Sequence, residues 1–505
     1  MLMKNYFNNR VKFLGLMLSI FMFVLIGRLY NLSIMHSADY TSRVERQLQR
    51  EMEIYYPRGK ILDRNSIPFT GKNFIREDLT LPSNIEKDIL ASHVIGQLQY
   101  QYKNNTVNGL KGVSGIQKLF DQELNGGLPI KITQYKDGWG QKISEDNYYV
   151  YGDHVNQGKN VRLTLDYHIQ KNIEEAMESF LKDNHSIEQN NKLPGIAITV
   201  MDIENGEVLG MASMGDQNNK SLHSFPVGSV LKTLVAAKAL EEGVVDLEEE
   251  FICNGTIMIE GIEKHCHKTE GHGNITFKEA FAQSCNSVFF EVAHRLTEYN
   301  PNGTIKGNKI IDLAKEFGFS PYSEKKKDSF VLADKYSCNT LPDSITGQMD
   351  IFNLALGQGV IEANPLMTTK IMATIANEGI FNEPTMLMDV SDSEGEVIKS
   401  FEKAEGKKIF EEDINRQLQT LLEEVSISGT AKNYNLVELG GIAGKTGTAQ
   451  GGQIQPHSWF AGYFPVGKPK YAMTVFIENG GSGSQVAVPL FQEAAEKILK
   501  LGQRN

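Results

Sequence analysis

Residues 224–240 read SFPVGSVLKTLVAAKAL, which sets a serine where a helix begins and a lysine one turn later, among small and apolar neighbours. Pro226 and Gly228 break the preceding segment, Leu234, Val235, Ala236, Ala237, Ala239 and Leu240 sustain a helix, and Gly243 can end it. Residues three apart share a helix face, so Lys232 stands over Ser229 with its ammonium within reach of the hydroxyl. Burial among apolar side chains lowers the proton affinity of such an ammonium and turns a permanent cation into a usable base, which a nucleophilic serine requires. A capping serine followed by a snorkelling lysine accounts for the same residues without any chemistry. Ser179/Lys182, Ser323/Lys326 and Ser400/Lys403 repeat the spacing, so the pattern alone identifies nothing.

The chain has 505 residues, a formal net charge of −11 and a pI near 5.6. That length predicts two or three domains, and the acidic balance argues against nucleic acid as a partner. Residues 13–27, FLGLMLSIFMFVLIG, carry no charge, and Leu29 to Met35 extend the apolar run past Arg28, which can snorkel. No small-x-small cleavage site follows, so the expectation is an uncleaved single-pass membrane anchor rather than a signal peptide. Lys4, Arg10 and Lys12 precede the run and put the N-terminus in the cytoplasm, with the rest of the chain outside.

Cys253, Cys266, Cys285 and Cys338 are too few for a disulfide framework, although one bridge is compatible with them. His265, His267 and His272 lie close in sequence to the first two cysteines, yet the spacings fit none of the familiar zinc signatures. A thiol pair or a loop disulfide is the plainer reading, and neither metal nor cofactor is expected.

Residues 37–165 read as short strands and loops, the clearest being YYPRGKILDRNSIPF, with a turn at Asp63 to Ser66. From 166 the character changes. IQKNIEEAMESFLK has helical periodicity, GIAITVMDIENGEVLGMAS is a hairpin turning at Glu204 to Gly206, and TFKEAFAQS and PLMTTKIMATIAN are helical. The strands GIAGKTGTAQ, SWFAGYF and YAMTVFIE and the helix LFQEAAEKILKL close the chain. Strands at both ends with helices between predict an α+β domain around one antiparallel sheet, with the serine helix packed on it.

Two more motifs then acquire meaning. SCN at Ser284 to Asn286 follows the helical run TFKEAFAQ, and GKTGT at Gly444 to Thr448 lies on a strand. Lys445 adds a positive charge that would depress the proton affinity of Lys232 and attract an anionic substrate terminus. Thr446 and Thr448 offer hydroxyls to a carboxylate, and Gly447 removes a side chain where a substrate would lie along the strand. An ordinary edge strand with a polar face reads the same way.

Ser-x-x-Lys, Ser-x-Asn and Lys-Thr-Gly in this order resemble the penicillin-recognising serine acyltransferases. YPRGKILDRNSIPF, GVSGIQKLFDQELNG and GKNVRLTLDYHIQ are similar to the juxtamembrane and pedestal signatures of class B penicillin-binding proteins, and LGQGVIEANPLMTTKIMATIANEG and HSWFAGYFP to their transpeptidase domain. The resemblance implies an anchor over 1–36, a dimerisation-like pedestal over 37–165 and a transpeptidase domain over 166–505. It further implies that Ser229 attacks the penultimate D-alanine of a peptidoglycan stem peptide while Lys232 takes its proton. The Ser229 and Thr448 N–H groups would form the oxyanion hole, Ser284 would relay the proton, and Asn286 would hold the donor amide. Lys445, Thr446 and Thr448 would take the terminal carboxylate. β-Lactams would acylate Ser229, and a membrane-embedded SEDS-type glycan polymerase would be the partner.

Ser66 and Glu362 to Asn364 depart from the family pattern, and we expect both departures to be peripheral. A second SCN at Ser337 to Asn339 competes with the first, but its flanks read as loop. Rival functions are a D,D-carboxypeptidase or β-lactamase-type hydrolase and a non-enzymatic β-lactam sensor or scaffold. ELN at Glu123 to Asn125 mimics a β-lactamase loop but precedes Ser229, the wrong order. The roughly 130 residues between anchor and acyltransferase are too few for a second, glycan-polymerising domain.

Overall fold

The computed structural model describes residues 2–54, 58–70, 90–103, 106–125, 130–135, 148–151, 158–184, 194–434, 436–451 and 455–502. The chain forms two compact units, one of residues 1–56, 102–109 and 126–157 and the other of 57–101, 110–125 and 158–505.

The first unit begins with α1, Leu2–Tyr30, continued by a π-helical turn at Asn31–Met35. Over 10–35 its mean hydropathy is 2.1 and none of it is buried within the protein. At ~1.5 Å per residue that length exceeds a ~30 Å hydrocarbon core. The unit also holds an antiparallel sheet of Gln49–Ile54, Ile130–Tyr135 and Tyr148–Tyr151, with the middle segment central. Tyr55 to Pro57, the start of the YYPRGK stretch, lie outside the described residues.

The second unit is built on a five-stranded antiparallel sheet. Its strands are β1 (Ile196–Asp202), β2 (Val208–Met214), β3 (Ala443–Ala449), β4 (His457–Phe464) and β5 (Tyr471–Ile477), in the order β3-β4-β5-β1-β2. The hairpin expected at Glu204 to Gly206 joins β1 to β2. The two ends of the domain meet where β5 pairs with β1, from Tyr471 opposite Asp202 to Ile477 opposite Ile196.

Helices cover both faces, as near-continuous strand burial requires. On one face lie α2 (Tyr167–Asp183) and α8 (Val488–Gly502). There Phe491 meets Phe460 and Phe464 at ring-centroid distances of 4.7 and 5.7 Å, and Ile169 and Ile173 fill the space beside Gly210. The opposite face carries α6 (Pro365–Ala376), whose Thr368 and Thr369 hydroxyls meet the Thr474 hydroxyl on β5 at 3.0 and 2.9 Å. The serine segment packs there too, as a 3-10 turn, Gly228–Leu231, running into α3 (Lys232–Glu241). The helix thus starts three residues later than the sequence implies, at Lys232. Between α3 and α6 in the chain come α4 (Phe277–Ala282), opened by a Thr276/Glu279 capping box, and α5 (Asn286–Arg295); α7 (Glu412–Ile427) precedes β3.

Part of the stretch expected to form the pedestal belongs to this second unit. Ile61–Leu62 pairs in parallel with Asn160–Leu163, and buried Asp63 accepts from the Asn65 and Ile67 N–H groups at 2.8 and 2.6 Å and from Tyr167 N–H at 3.0 Å. The Asp63 carboxylate thereby ties the turn to the first residue of α2. Ser66 completes the turn at φ +66, the left-handed region where glycine is the unstrained residue.

Ser66→Gly should therefore be neutral to stabilising by up to ~1 kcal/mol, the released strain being partly offset by the freer unfolded chain. Thermal unfolding of the two proteins checks this, and a clear loss of stability would count against the strain.

Candidate active site

The site assembles where the serine turn, the α4–α5 junction and β3 converge. Gly228, at φ +60, brings its N–H to the Gly357 carbonyl at 2.9 Å, and a Cβ there would stand 2.9 Å from the Thr448 carbonyl oxygen. The turn is pressed against β3 in this way. Ser229 sits half-buried in it, in a first turn whose N–H groups have no intrahelical partner.

Lys232 is fully buried, unlike Lys182, Lys326 and Lys403 of the other Ser-x-x-Lys stretches, which are exposed. Its Nζ donates to the Ser284 carbonyl at 2.7 Å and to Asn286 Oδ1 at 2.8 Å, with Ser284 Oγ at 3.3 Å and the Phe289 ring centroid at 5.1 Å. No hydrogen bond joins it to Ser229 among the described residues. Burial lowers its pKa to about 7, and the sulfurs of Cys285 and Cys266 oppose that shift. A neutral amine has two N–H groups and one lone pair. The two short bonds use both hydrogens, which leaves the lone pair for a hydroxyl proton.

Ser284 lies between α4 and α5 at φ +57, a strained conformation for a serine. That conformation turns its carbonyl and hydroxyl together toward Lys232. Asn286 opens α5. Lys232 meets this SCN and not the second one. Ser337 instead closes a turn with Asp334, and Asn339 Oδ1 accepts the Asn364 N–H at 2.8 Å, so those residues serve the backbone.

Strand alternation puts Lys445 and Gly447 on the face that carries the serine turn, and Thr446 and Thr448 on the other. Lys445 is also fully buried. Burial, and then the Lys232 charge, push its pKa well below the ordinary lysine value. The repulsion between the two ammonium groups is mutual and adds to burial, which is the largest cause of the Lys232 shift. The Thr446 hydroxyl lies 2.7 Å from that of Thr430, and Thr448 Oγ1 accepts the Gly483 N–H at 3.1 Å. Thr430 and Gly483 had no signal in the sequence, since neither stands in a recognisable motif.

Gly447 has a different reason from the one read in the sequence. A Cβ there would lie 2.9 Å from Val230 Cγ2 and from Trp459 Cβ, so its space is filled by packing of β3 on the serine turn. The Glu362 to Asn364 departure is not peripheral either. Glu362 pairs with Pro226, at the entry to the serine turn, burial raises its carboxyl pKa, and buried Asn364 caps α6.

Behind Ser284, the Sγ atoms of Cys253, Cys266 and Cys285 and a ring nitrogen of His272 all lie within 4.8 Å of one another. All four cysteines are free, and Cys338 is elsewhere. The sequence expectation of no metal did not foresee this convergence, because sheet pairing rather than spacing produces it.

The family described as the penicillin-binding protein transpeptidase domain matches residues 196–496. The chain belongs to the penicillin-binding protein transpeptidase family. Similar relatives include the stage V sporulation protein D of Bacillus subtilis, 26% identical over 75% of this chain and 59% of that one. The peptidoglycan D,D-transpeptidase MrdA of Escherichia coli is 23% identical over 98% and 94%. This penicillin-binding protein spans about 59% of the length of the first of these. Among solved structures, penicillin-binding protein 3 of Mycobacterium tuberculosis superposes with a TM-score of 0.68 at 21% identity, covering 90% of this chain and 97% of that one. A peptidoglycan synthase complex that coordinates polymerisation and crosslinking gives 0.66 at 20%, covering 97% and 98%. The class B fold expected from the sequence, α+β with an N-terminal apolar helix, is the fold of this penicillin-binding protein.

Gly447→Ala should push β3 away from the serine turn, costing on the order of 1–3 kcal/mol as an overpacked contact. Its thermal unfolding should fall measurably below wild type, and an unchanged midpoint would show that Val230 and Trp459 can yield.

Proposed function

We propose that this protein is a monofunctional serine D,D-transpeptidase that cross-links peptidoglycan stem peptides through an acyl-enzyme on Ser229, which β-lactams also acylate. The observation that carries this reading is the buried Lys232 amine, held by Ser284 and Asn286 one turn from Ser229 and titrating near neutrality. Lys232 takes the Ser229 proton through its free lone pair as Ser229 Oγ attacks the penultimate D-alanine carbonyl. The developing oxyanion is received by the Ser229 and Thr448 N–H groups. Ser284 Oγ, 3.3 Å from Lys232 Nζ, passes the proton to the leaving D-alanine amine, and Asn286 orients the donor amide.

The substrate lies along β3, the edge strand of the sheet, whose outer backbone groups suit an extended peptide. Its carboxylate is met by Lys445 from one face and by the Thr446 and Thr448 hydroxyls from the other, with Thr448 still able to donate while it accepts from Gly483. An amine from a neighbouring stem peptide then takes the acyl group.

In the same reading α1 anchors residues 1–36 in the cell membrane, with a cytoplasmic N-terminus and the catalytic domain outside. Residues 37–165 form the pedestal and 166–505 the transpeptidase domain. A SEDS-type glycan polymerase in the membrane is the partner, an arrangement supported by the likeness to a synthase complex.

Ser229→Ala should abolish covalent labelling by fluorescent penicillin, while alanine at Ser179, Ser323 or Ser400 leaves it intact. In wild type the adduct should persist for many minutes by time-resolved mass spectrometry, because no carboxylate in the motif set is placed to activate water. Rapid turnover of the drug would move the protein to the hydrolases.

The rate of that acylation should rise with pH about a midpoint near 7, the lysine value given by burial. Stability should move in the same direction. Below about 7 Lys232 is protonated in both states and the folded chain bears the full cost of a buried cation. Above it the folded chain sheds a proton that the unfolded chain keeps up to the ordinary value of 10.5, so stability rises across that window. A flat acylation profile between pH 6 and 8 would assign the proton to another group.

A further inference from the structure

We propose that His457 is a positioning residue for the site, a neutral imidazole that holds the Asn479–Gly483 loop against β3 and so aims the Thr448 hydroxyl at the substrate carboxylate. The inference deepens the function proposed above and rests on it. His457 is the first residue of β4, pairs with Ala449 of β3 and is buried. Its Nδ1 lies 3.1 Å from the Asn479 backbone nitrogen. A backbone N–H can only donate, so Nδ1 is the acceptor and the ring proton sits on Nε2.

The loop that leaves β5 is fastened at each step. The Glu478 N–H bonds the Gly195 carbonyl at 2.7 Å, and Asn479 turns the chain at φ +54, a left-handed conformation that asparagine tolerates better than most residues. The Gly481 N–H then bonds the Pro456 carbonyl at 2.9 Å, and the Gly481 carbonyl accepts from Ser458 Oγ at 3.0 Å. Gly483 lands on β3. A Cβ there would stand 2.2 Å from the Gly447 carbonyl oxygen, and its N–H donates to Thr448 Oγ1 at 3.1 Å. That bond occupies a Thr448 lone pair and leaves its single hydrogen for the carboxylate. Of these bonds, the one to His457 alone uses a titratable acceptor.

The surroundings keep the ring neutral. The Phe225 and Phe476 rings each lie 5.6 Å from it between centroids. The charged groups acting on it are Glu478, just after β5, and Lys220, from the segment before the serine turn, whose Nζ is shared at 2.9 Å between Glu478 and Asp216. Residues 450–456 add no titratable group. Burial lowers the His457 pKa, Glu478 opposes that shift and Lys220 adds to it. Protonation would set a hydrogen on Nδ1 against the Asn479 N–H and break the bond. The loop would then lose its hold ahead of Gly483.

The test uses the full chain in detergent and compares acylation by benzylpenicillin with acylation by its methyl ester, which lacks the carboxylate charge. Both reagents use Ser229 and Lys232, so the ratio of their rates cancels the lysine titration. His457→Phe keeps a ring but offers no acceptor, and should lower that ratio about tenfold, whereas a merely structural loss slows both reagents alike. His457→Asn puts Oδ1 where Nδ1 stood and should restore the ratio to within about twofold of wild type. In wild type the ratio should fall as pH drops below the ordinary histidine value of 6.5, and in His457→Asn it should stay flat. Nitrogen NMR of histidine-labelled wild type needs no variant to fold, and should find Nε2 protonated and Nδ1 bare at neutral pH. A proton on Nδ1, an unchanged ratio in folded His457→Phe, equal losses in the phenylalanine and asparagine variants, or a wild-type ratio flat down to about pH 4 would overturn the proposal. A folded wild type that no penicillin acylates would instead sink the transpeptidase reading, and the nitrogen spectrum would still decide whether His457 holds the loop.

Discussion

The structure depends on where it puts one charge. Lys232 is wholly buried, and an ammonium in that position is tolerated because its hydrogen bonds are made by a backbone carbonyl and an amide oxygen that the α4–α5 junction presents. Satisfying the lysine fixes the relation between the serine turn and α5. The same burial brings its pKa to about 7, which makes the buried group useful rather than merely tolerated. Ser284 bears the complementary cost, a left-handed backbone in a residue with a Cβ.

The second constraint is steric. The turn that holds Ser229 touches β3 through Gly228, Gly447 and Val230, and there is no room for a further carbon at either glycine. Trp459, paired with Gly447 across β3 and β4, closes the contact from the sheet side and donates to the Pro226 carbonyl at 3.0 Å. The distance between Ser229 and the strand is therefore set by backbone contact, which is stiffer than side-chain packing. The proposed oxyanion hole, with two N–H donors on different elements, would need that stiffness.

The departures from the family pattern are informative for the same reason. Ser66 occupies a turn position at φ +66, where glycine is the unstrained residue. Glu362 and Asn364 join the entry of the serine turn to the start of α6, so a substitution that looked remote in sequence is one strand pair from Pro226. Both show that a motif's surroundings acquire their meaning only when the elements are in place.

Much of this protein was determined by its sequence alone. The apolar run at the N-terminus, the hairpin at 204–206, the helices at 167–183 and 365–376 and the C-terminal strands all follow from local periodicity and turn chemistry, which are short-range. The order of the Ser-x-x-Lys, Ser-x-Asn and Lys-Thr-Gly motifs carried the family because three weak signals in sequence are strong in combination. Tertiary structure alone decided the rest. It chose Ser284 over Ser337 by which of them Lys232 can reach, and gave Gly447 a packing reason rather than a substrate one. It divided Lys445 from Thr446 and Thr448 across the strand and assigned residues 58–70 to the larger unit. It also gathered Cys253, Cys266, His272 and Cys285, because strand pairing turns large separations along the chain into contact distances that no spacing rule encodes.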